Sequence, residues 1–273
     1  MTTERDWRPR YIQVAEELRD EIMSGTLAPG DPLPSEPELA NRFAMSRTSV
    51  RNAIKRLSDW GLVRSEQGRG TYVRASRQRV RRNHTERYQW EKDRARLTED
   101  ERRKTGATEH DTALEMPDLE FRVAYETIEA NEALAEVFDV PPGTSLLSRR
   151  YWTSSRAENS TPLNLVRSYL VYDVAAQNPD LLESANEPWP GGTQNQLHTI
   201  GIELDRIVDN LTARPPFPDE ATELDIEPGV SVLVLHKTSI DTSGRVVEFS
   251  EVILPGDRTE VEHTTYLRRW EQS

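Results

Sequence analysis

The chain has 273 residues and no cysteine, which excludes a disulfide framework, a thiolate metal site and a cysteine nucleophile. Its length indicates two domains, and a hydrophobic fraction of 35% is enough for two ordinary cores. No apolar run reaches the roughly 20 residues that a membrane span needs, and the first residues hold no signal-peptide pattern. We therefore expect a cytoplasmic protein without a membrane partner.

The net charge of −12 is distributed unevenly along the chain. Residues 1–82 hold 16 Lys and Arg against 11 Asp and Glu, a net charge of +5, whereas the remaining residues carry a net charge of −17. A basic head on an acidic body is typical of a nucleic-acid reader joined to a domain that stays off the phosphates.

Three helices are predicted within the first 60 residues. Apolar residues recur at three- and four-residue spacings between Tyr11 and Ser24, which indicates an amphipathic helix. Ser35 with Glu38 three residues later forms a capping box for a second helix, and Ser46 is placed to cap a third.

A hairpin is predicted directly after the third helix. Residues 62–73 alternate in polarity around a tip that contains Gly68 and Gly70. Capped helices followed by a small hairpin form the order of parts of a winged helix-turn-helix, in which the second helix of the motif reads the major groove of DNA.

Candidate DNA-contacting residues lie at the start of the third helix and at the hairpin tip. Arg47 and Arg51 are four residues apart, so one can reach a guanine edge while the other holds the backbone or a second base. Short hydroxyls suit phosphate oxygens, and Arg69 between two glycines can enter a minor groove or lie along phosphates. An Arg- and Ser-rich helix start is also typical of a solvated face, but the neighbouring caps, hairpin and positive charge favour DNA. The predicted DNA-binding set is Ser35, Ser46, Arg47, Thr48, Ser49, Arg51, Gly68, Arg69 and Gly70.

Residues 77–118 differ in composition from the rest of the chain. They are almost free of aliphatic side chains, and only Tyr88, Trp90 and Leu97 could anchor them. We predict a charged linker or extended segment. It could be a disordered connector, or a charged strip laid across one domain or a partner subunit.

The C-terminal half contains a weak internal repeat with an offset of 86 residues. Phe138 corresponds to Leu224, Gly143 to Gly229 and Leu147 to Leu233. Each copy reads as a short helix, a Pro-Gly turn and a long apolar strand, and a second strand follows over 163–172 and 246–254. A further helix is predicted near 194–200. Two helix-plus-hairpin units predict an α+β domain with a central antiparallel sheet.

The stretch PGDPLPSEPELANRFAMSRTSVRNAIKRLSDWGLVRSEQGRGTYV resembles the DNA-binding domain of GntR-family transcription regulators. The resemblance implies that the residues matching Arg47, Thr48, Ser49, Arg51 and Gly68 contact the operator. Pro37 stands where the family commonly has an arginine that reads a base, so we expect one contact fewer and a different operator.

Several later segments resemble the UTRA effector domain of the HutC-type branch, namely VFDVPPGTSLLSRRYWT, LVRSYLVYDV, NLTARPPFPDEA, LDIEPGVSVL and GRVVEFSEVILPGD. This resemblance implies a chorismate-lyase-like fold, a small-molecule pocket and a homodimer built through this domain. The expected organisation is therefore a winged helix-turn-helix at 1–76, the charged segment at 77–118 and a UTRA-like α+β domain at 119–273.

The same resemblance places an effector between the two helix–hairpin units. An arginine in such a pocket is a natural clamp for a carboxylate or phosphate, although an arginine on a strand is more often solvated. Val166 and Leu254 stand where members of the branch often have Glu and Tyr, so we expect an effector that is flatter or more apolar than a sugar phosphate. The candidate effector-binding residues are Arg122, Tyr125, Arg149, Tyr151, Arg167, Tyr169, Glu248 and Ser250.

The leading hypothesis is a homodimeric repressor that binds an inverted-repeat operator in double-stranded DNA and is released by a small-molecule effector. One alternative is a ligand-independent regulator of the transfer or replication genes of a mobile element. A more remote one is a chorismate-lyase-like enzyme using Glu248 and Arg167, but no nucleophile–base pair supports catalysis. No cofactor or metal is expected, because the five histidines (84, 110, 198, 236 and 263) lack ligand spacing.

Overall fold

The computed structural model describes residues 7–74, 80–104, 106, 118–156 and 160–267. It separates into two compact units. The N-terminal unit comprises the chain up to Gln78 together with Ile226–Val230, and the C-terminal unit comprises Arg79–Asp225 and Ser231–Ser273.

The N-terminal unit is a three-helix cluster followed by a hairpin. Its helices are α1 (Arg10–Met23), α2 (Glu36–Phe43) and α3 (Arg47–Asp59), and its antiparallel strands are β1 (Val63–Glu66) and β2 (Gly70–Val73). One apolar core joins the three helices to β1, with Leu18, Leu39 and Leu57 fully buried. The predicted winged helix-turn-helix is confirmed.

Both predicted helix caps are present in this unit. The Ser35 hydroxyl accepts the backbone N–H of Glu38, and the Glu38 carboxylate accepts the N–H of Ser35 in return. The Ser46 hydroxyl accepts the N–H of Ser49 at 3.2 Å. Each cap satisfies a backbone donor that the first helical turn would leave without a partner.

A six-stranded antiparallel sheet forms the centre of the C-terminal unit, with strand order β4-β5-β6-β9-β8-β7. The strands are β4 (Leu119–Glu129), β5 (Ser145–Ser155), β6 (Thr161–Val171), β7 (Leu204–Arg214), β8 (Val232–Asp241) and β9 (Val246–Pro255). The helices around the sheet are α6 (Glu132–Phe138), α7 (Tyr172–Ala175), α8 (Gly192–Thr199) and α9 (Pro218–Glu223), with 3₁₀ turns at Pro179–Leu182 and Ser184–Asn186. The predicted antiparallel α+β domain is confirmed.

The sequence repeat corresponds to the two halves of this sheet. One half contains β4, α6, β5 and β6, and the other contains β7, α9, β8 and β9 in the same chain order. The last strands of the two halves, β6 and β9, pair at the middle, with Ser168 opposite Ser250. The repeat therefore extends further than the sequence indicated, because each unit also includes the strand before its helix.

The charged segment is corrected by the structure, because its described part is not an extended linker. Residues 80–104 contain β3 (Val80–Asn83), which pairs in parallel with β10 (Thr259–Glu262), followed by α4 (Arg87–Arg94) and α5 (Glu99–Arg102). Side chains of α8 anchor the segment: the Gln194 amide donates to the Tyr88 carbonyl at 3.0 Å, and the Asn195 amide donates to the Ala95 carbonyl at 2.7 Å. This is the strip across one domain that the sequence left open. Residues 77–79, 105 and 107–117 lie outside the described part of the chain.

Two features are not found among the described residues. No helix there is long and apolar enough to cross a membrane. Within the same ranges, no group of three or more His, Asp and Glu side chains could hold a metal ion.

Candidate DNA interface and ligand pocket

The start of α3 presents the side chains expected of a recognition helix. Arg47 and Thr48 are exposed in its first turn, where backbone N–H groups and the helix dipole favour a phosphate. Arg51 is also exposed, and its Nε lies 2.9 Å from both carboxylate oxygens of Glu36. The Ser49 hydroxyl lies 3.0 Å from that of Ser46, which already caps the helix. Arg51 is therefore paired with the Glu36 carboxylate of α2. DNA would have to displace that carboxylate or share the Arg51 guanidinium with it.

The hairpin tip has the backbone freedom that a DNA-contacting wing needs. Gly68 and Gly70 have φ values of +75° and +121°, which side chains rarely adopt, and a Cβ on either would meet open space. Arg69 between them is mostly exposed, and its guanidinium lies 3.7 Å from the Glu66 carboxylate. The tip can therefore approach a nucleic-acid backbone closely.

A groove of about 560 Å³ runs between α2, α3 and the hairpin. Of the predicted DNA-binding set, it brings together Ser35, Arg51, Arg69 and Gly70. Lys55 was not among the predicted residues, yet it lies one helical turn after Arg51 and lines the same groove. Its four-residue spacing from Arg51 was the signal available. Ser35 has its hydroxyl engaged by Glu38 at 2.6 Å, so its observed role is capping.

The C-terminal unit contains a pocket of about 680 Å³ over one face of the six-stranded sheet. Strand register aligns the side chains of this face in rows across the strands. We call the first row the polar row; its members in sheet order are Tyr125, Arg149, Ser168, Ser250 and Lys237. We call the second row the apolar row; its members are Val123, Tyr151, Val166, Val252 and Leu235.

A buried ion cluster lies at the polar row. Arg149 is fully buried and donates to Oε1 of Glu248 at 3.1 Å, to the Ser168 hydroxyl at 2.7 Å and to the Gln196 side chain at 2.6 Å. Nζ of Lys237 lies 3.0 Å from the other carboxylate oxygen of Glu248. Burial alone would raise the pKa of Glu248, but Lys237, Arg149 and the donated hydrogen bonds outweigh it and lower that pKa to about 2. The carboxylate therefore stays charged, and one anion is shared by two cations.

A second polar cluster joins the sheet to the loop before α8. Oε1 of Glu187 accepts hydrogen bonds from the hydroxyls of Tyr125 and Tyr151 at 2.5 and 3.0 Å, and from the Gln196 amide at 3.0 Å. Burial and the nearby carboxylate raise the pKa of Tyr125 to about 12, and the pKa of Tyr151 is raised in the same direction. Both phenols therefore remain hydrogen-bond donors at neutral pH.

The structure brings together five of the eight predicted effector-binding residues. Tyr125, Arg149, Tyr151, Glu248 and Ser250 all lie on the pocket face, as lining residues or as their direct hydrogen-bond partners.

The other three predicted residues lie on the opposite face of the sheet, so their assignment to this pocket is corrected. Arg122 stacks over the Trp152 ring at 4.3 Å, Arg167 lies 3.6 Å from Glu251, and Tyr169 stacks on a phenylalanine ring. The physical reason is strand alternation. Ser168, rather than its neighbours, lies opposite Arg149 and shares its face.

Several pocket residues were not found from the sequence. They are Arg82, His84, Arg87 and Tyr88 of the charged segment, Glu187 and Thr193 near α8, and Thr153, Asn164, Ser168 and Lys237 of the sheet. The signal available for Lys237 was its position two residues after Leu235 in a predicted strand, which places the two side chains on one face. The four pocket residues of the charged segment had no comparable signal, because that segment lacks an apolar pattern.

Comparison with known proteins agrees with both units. The model of the bacterial regulatory proteins of the gntR family matches residues 10–73, and the UTRA domain model matches residues 122–260. The chain belongs to the GntR family and carries a UTRA domain. This is the domain pair predicted for the HutC-type branch, and it makes the protein a DNA-binding transcriptional regulator with an effector-binding domain.

Curated relatives of this GntR-family regulator are transcription regulators. The repressor NagR of Bacillus subtilis is 27% identical over 250 residues, covering 92% of each chain. An uncharacterized HTH-type transcriptional regulator of Streptomyces coelicolor is 26% identical and covers 92% of this chain and 90% of its own. The repressor MngR of Escherichia coli is 43% identical over 70 residues, which is 26% of this chain and 29% of its own.

Solved structures share the fold over almost the whole chain. A crystal structure of a protein assigned to the GntR family has 26% identity and a TM-score of 0.67, covering 96% of this chain and 99% of its own. PhnF from Mycobacterium smegmatis has 22% identity and a TM-score of 0.52, covering 93% and 100%, and it shows the fold alone.

Proposed function

We propose that this GntR-family regulator is a homodimeric repressor that binds an inverted-repeat operator and is released by a small molecule in the UTRA pocket. The observation that carries the proposal is one chain holding both a recognition helix with exposed Arg47 and Arg51 and a separate pocket of about 680 Å³. Repressor activity is supported by relatives whose names describe repressors, NagR and MngR. The proposed domain limits are 1–76 for the DNA-binding domain and 119–273 for the UTRA-like domain, with residues 80–104 of the segment 77–118 packed against the latter.

On DNA, α3 would lie in the major groove with its N-terminus toward the bases. Arg47 and Arg51 would read base edges, since a guanidinium can bond both acceptors of a guanine. Thr48 and Ser49 would hold phosphates, and Arg69 would contact a minor groove or the backbone at the edge of the site. A twofold-symmetric dimer would place two such helices on half-sites about one helical turn apart, which supports an inverted repeat.

Effector control requires that the ligand bind one conformation better than another. The pocket supports this role because it is concave, combines apolar and polar walls, and has a size within the usual range of about 300–1,000 Å³ for ligand sites. Arg149 and Glu248 would orient a polar group of the ligand, while Tyr151 and Ser250 would contact it. A coupling free energy of about 1–3 kcal/mol between effector and operator would be enough to change the operator affinity 5- to 150-fold.

Selection of genomic fragments by the purified full-length protein tests this proposal. We expect a sharp palindromic motif, bound as a dimer in analytical ultracentrifugation. The Arg51→Ala variant should lose enrichment of the motif, whereas Arg206→Ala, an exposed arginine on β7 paired with Asp205, should keep it. Enrichment of a single half-site by a monomer would refute the dimer, and no enrichment at physiological salt would refute direct operator reading.

A further inference from the structure

Three polar side chains that line the pocket are almost fully buried. Thr153, Asn164 and Ser250 are only 5%, 4% and 2% exposed. Buried hydroxyls and amides are usually hydrogen-bonded, and these three groups face the pocket. Their hydroxyls and amide are therefore placed to bond a ligand there.

Lys237 is a fourth polar group of the pocket, and its side chain can donate further hydrogen bonds. Its ammonium carries three donors, and within the described structure its one carboxylate contact is Glu248 at 3.0 Å. Glu248 is shared with Arg149, and a second carboxylate, Glu187, lines the same pocket and accepts from Tyr125 of the polar row. An incoming anion would accept the remaining donors of Lys237.

These groups lie at two ends of the sheet face with an apolar band between them. Ser250 and Lys237 belong to the polar row. Thr153 and Asn164 are paired in a third row, two residues beyond the apolar row along each strand. At about 3.3 Å per residue, four residues separate the polar and third rows by roughly 13 Å.

The central part of the apolar band is a single hydrophobic cluster. Val166, Val252 and Leu235 pack with Leu254 in one cluster, so the two positions at which the chain departs from the HutC-type pattern belong to the same surface. A sugar phosphate carries hydroxyls along its length, and burying them against this cluster without partners would oppose its binding.

We propose that the pocket takes an elongated amphiphile, with an anionic group at Lys237 and Ser250, an apolar middle on the apolar row, and a neutral hydrogen-bonding group at Asn164 and Thr153. The inference rests on the proposed effector role of this pocket and narrows it to a ligand class. The apolar middle would span the roughly 13 Å between the two polar ends.

The charged segment completes this site from outside the UTRA match. Arg82 and His84 of β3 and its turn, and Arg87 and Tyr88 of α4, form a wall of the pocket, although residues 122–260 are the part that matches the UTRA model. Burial, with a smaller effect of the neighbouring Arg87, lowers the pKa of Arg82 to about 9, and Arg87 itself lies 3.0 Å from Glu91. This wall therefore carries charges of both signs.

Isothermal titration calorimetry of the full-length protein without DNA tests the ligand class. The probes are ω-hydroxydecanoate, decanoate, decanol and glucose 6-phosphate. We expect ω-hydroxydecanoate to bind most tightly, because it alone carries both polar ends on an apolar chain. Lys237→Met should weaken both carboxylate probes at least about tenfold and leave decanol unchanged, since the loss of one charged hydrogen bond amounts to about 1.5–3 kcal/mol. Asn164→Leu should bring ω-hydroxydecanoate down to the affinity of decanoate.

Asn210→Leu is the matched control, because it makes the same substitution at an exposed position of β7 in the same sheet. It should leave every affinity unchanged. Tighter binding of glucose 6-phosphate than of any decanoate probe, or carboxylate affinities unchanged in Lys237→Met, would overturn the ligand class, and so would the absence of binding by all four probes.

Operator release is measured separately and distinguishes the two proposals. If ω-hydroxydecanoate binds as expected and leaves the operator complex intact, the effector-release mechanism fails and the ligand class stands. If glucose 6-phosphate releases the operator, the mechanism stands and the ligand class fails.

Discussion

Replacing Arg149 with methionine should destabilise the C-terminal unit by about 3 kcal/mol. Methionine keeps most of the side-chain volume but removes the charge, so buried Glu248 loses a partner at 3.1 Å and Gln196 loses a donor at 2.6 Å. Breaking a buried ion pair from one side typically costs about 3–5 kcal/mol. We expect a cost at the lower end of this range, because Lys237 remains 3.0 Å from the Glu248 carboxylate.

The pKa of Glu248 gives an independent estimate of the energy in this cluster. A carboxyl whose pKa falls from 4.5 to about 2 on folding is stabilised by about 3 kcal/mol at neutral pH. Because the folded pKa is lower, this stabilisation is complete above pH 4.5 and is lost as the pH falls toward 2. Removing Arg149 raises the pKa of Glu248 in the folded state. The free energy of unfolding should therefore fall less on acidification in Arg149→Met than in the unsubstituted protein.

Native-state hydrogen exchange followed by mass spectrometry measures this effect in the right unit, because peptides from β5 and β9 report on opening of the sheet alone. Arg149→Met should lower their opening free energy by about 3 kcal/mol, and peptides from α1 to α3 serve as the internal control. A double-mutant cycle with Glu248→Gln should give a coupling of at least about 1 kcal/mol. A loss under about 1 kcal/mol, or strictly additive costs, would refute the argument that these charges stabilise each other.

Three further changes have distinct expected outcomes. Arg51→Ala should weaken operator binding by about 1–3 kcal/mol in gel-shift titrations at fixed salt, and an equal loss on random duplex would show that it holds only phosphate. Ser35→Ala removes the capping box of α2 and should cost the N-terminal unit about 1 kcal/mol in exchange-derived stability; no change there would mean that water replaces the cap. Gly191→Ala should lower the thermal midpoint more than Gly244→Ala, because both have positive φ but only at Gly191 would a Cβ lie 2.6 Å from the Arg102 side chain; equal shifts would contradict the clash.

Local signals in the sequence were sufficient for the N-terminal unit. A cap such as Ser46 acts within three residues, and a hairpin tip such as Gly68 with Gly70 acts within one turn, so the boundaries of α2, α3 and β1–β2 follow from short windows. The 86-residue repeat likewise predicted helices and strands in both halves of the sheet. These features depend on interactions that are close in sequence.

Local signals could not show which face of the sheet is occupied by the side chains of the central strands. Alternation showed that Arg167 and Tyr169 share a side, and that Arg149 and Tyr151 share a side, but not whether the two sides are the same. The answer depends on the register between β5 and β6. In that register Ser168, rather than Arg167 or Tyr169, lies opposite Arg149. A shift of one residue in the pairing would have reversed the answer for the whole strand.

The charged segment shows a second limit of sequence reasoning. Its helix α4 lacks an apolar stripe, and the contacts that hold it come from other elements: the Gln194 amide on the Tyr88 carbonyl, and the Tyr88 hydroxyl on Asp209 at 2.7 Å. Hydrogen bonds between residues about 100 positions apart leave no periodic signal. A segment that reads as a connector therefore lines the pocket of the C-terminal unit.

This placement suggests how ligand and operator could be coupled. A ligand changes an equilibrium only through an element that it contacts differently in the two states. We propose β3 as this element, because Arg82 lines the pocket and the strand begins at Val80, seven residues after the wing strand ends at Val73. A ligand that favours one arrangement of β3 by about 1.4 kcal/mol would change the balance between the two states tenfold. The same strand therefore belongs to the binding site and to the connection with the DNA-binding unit, so effector sensitivity should depend on residues before the UTRA match as well as on those within it.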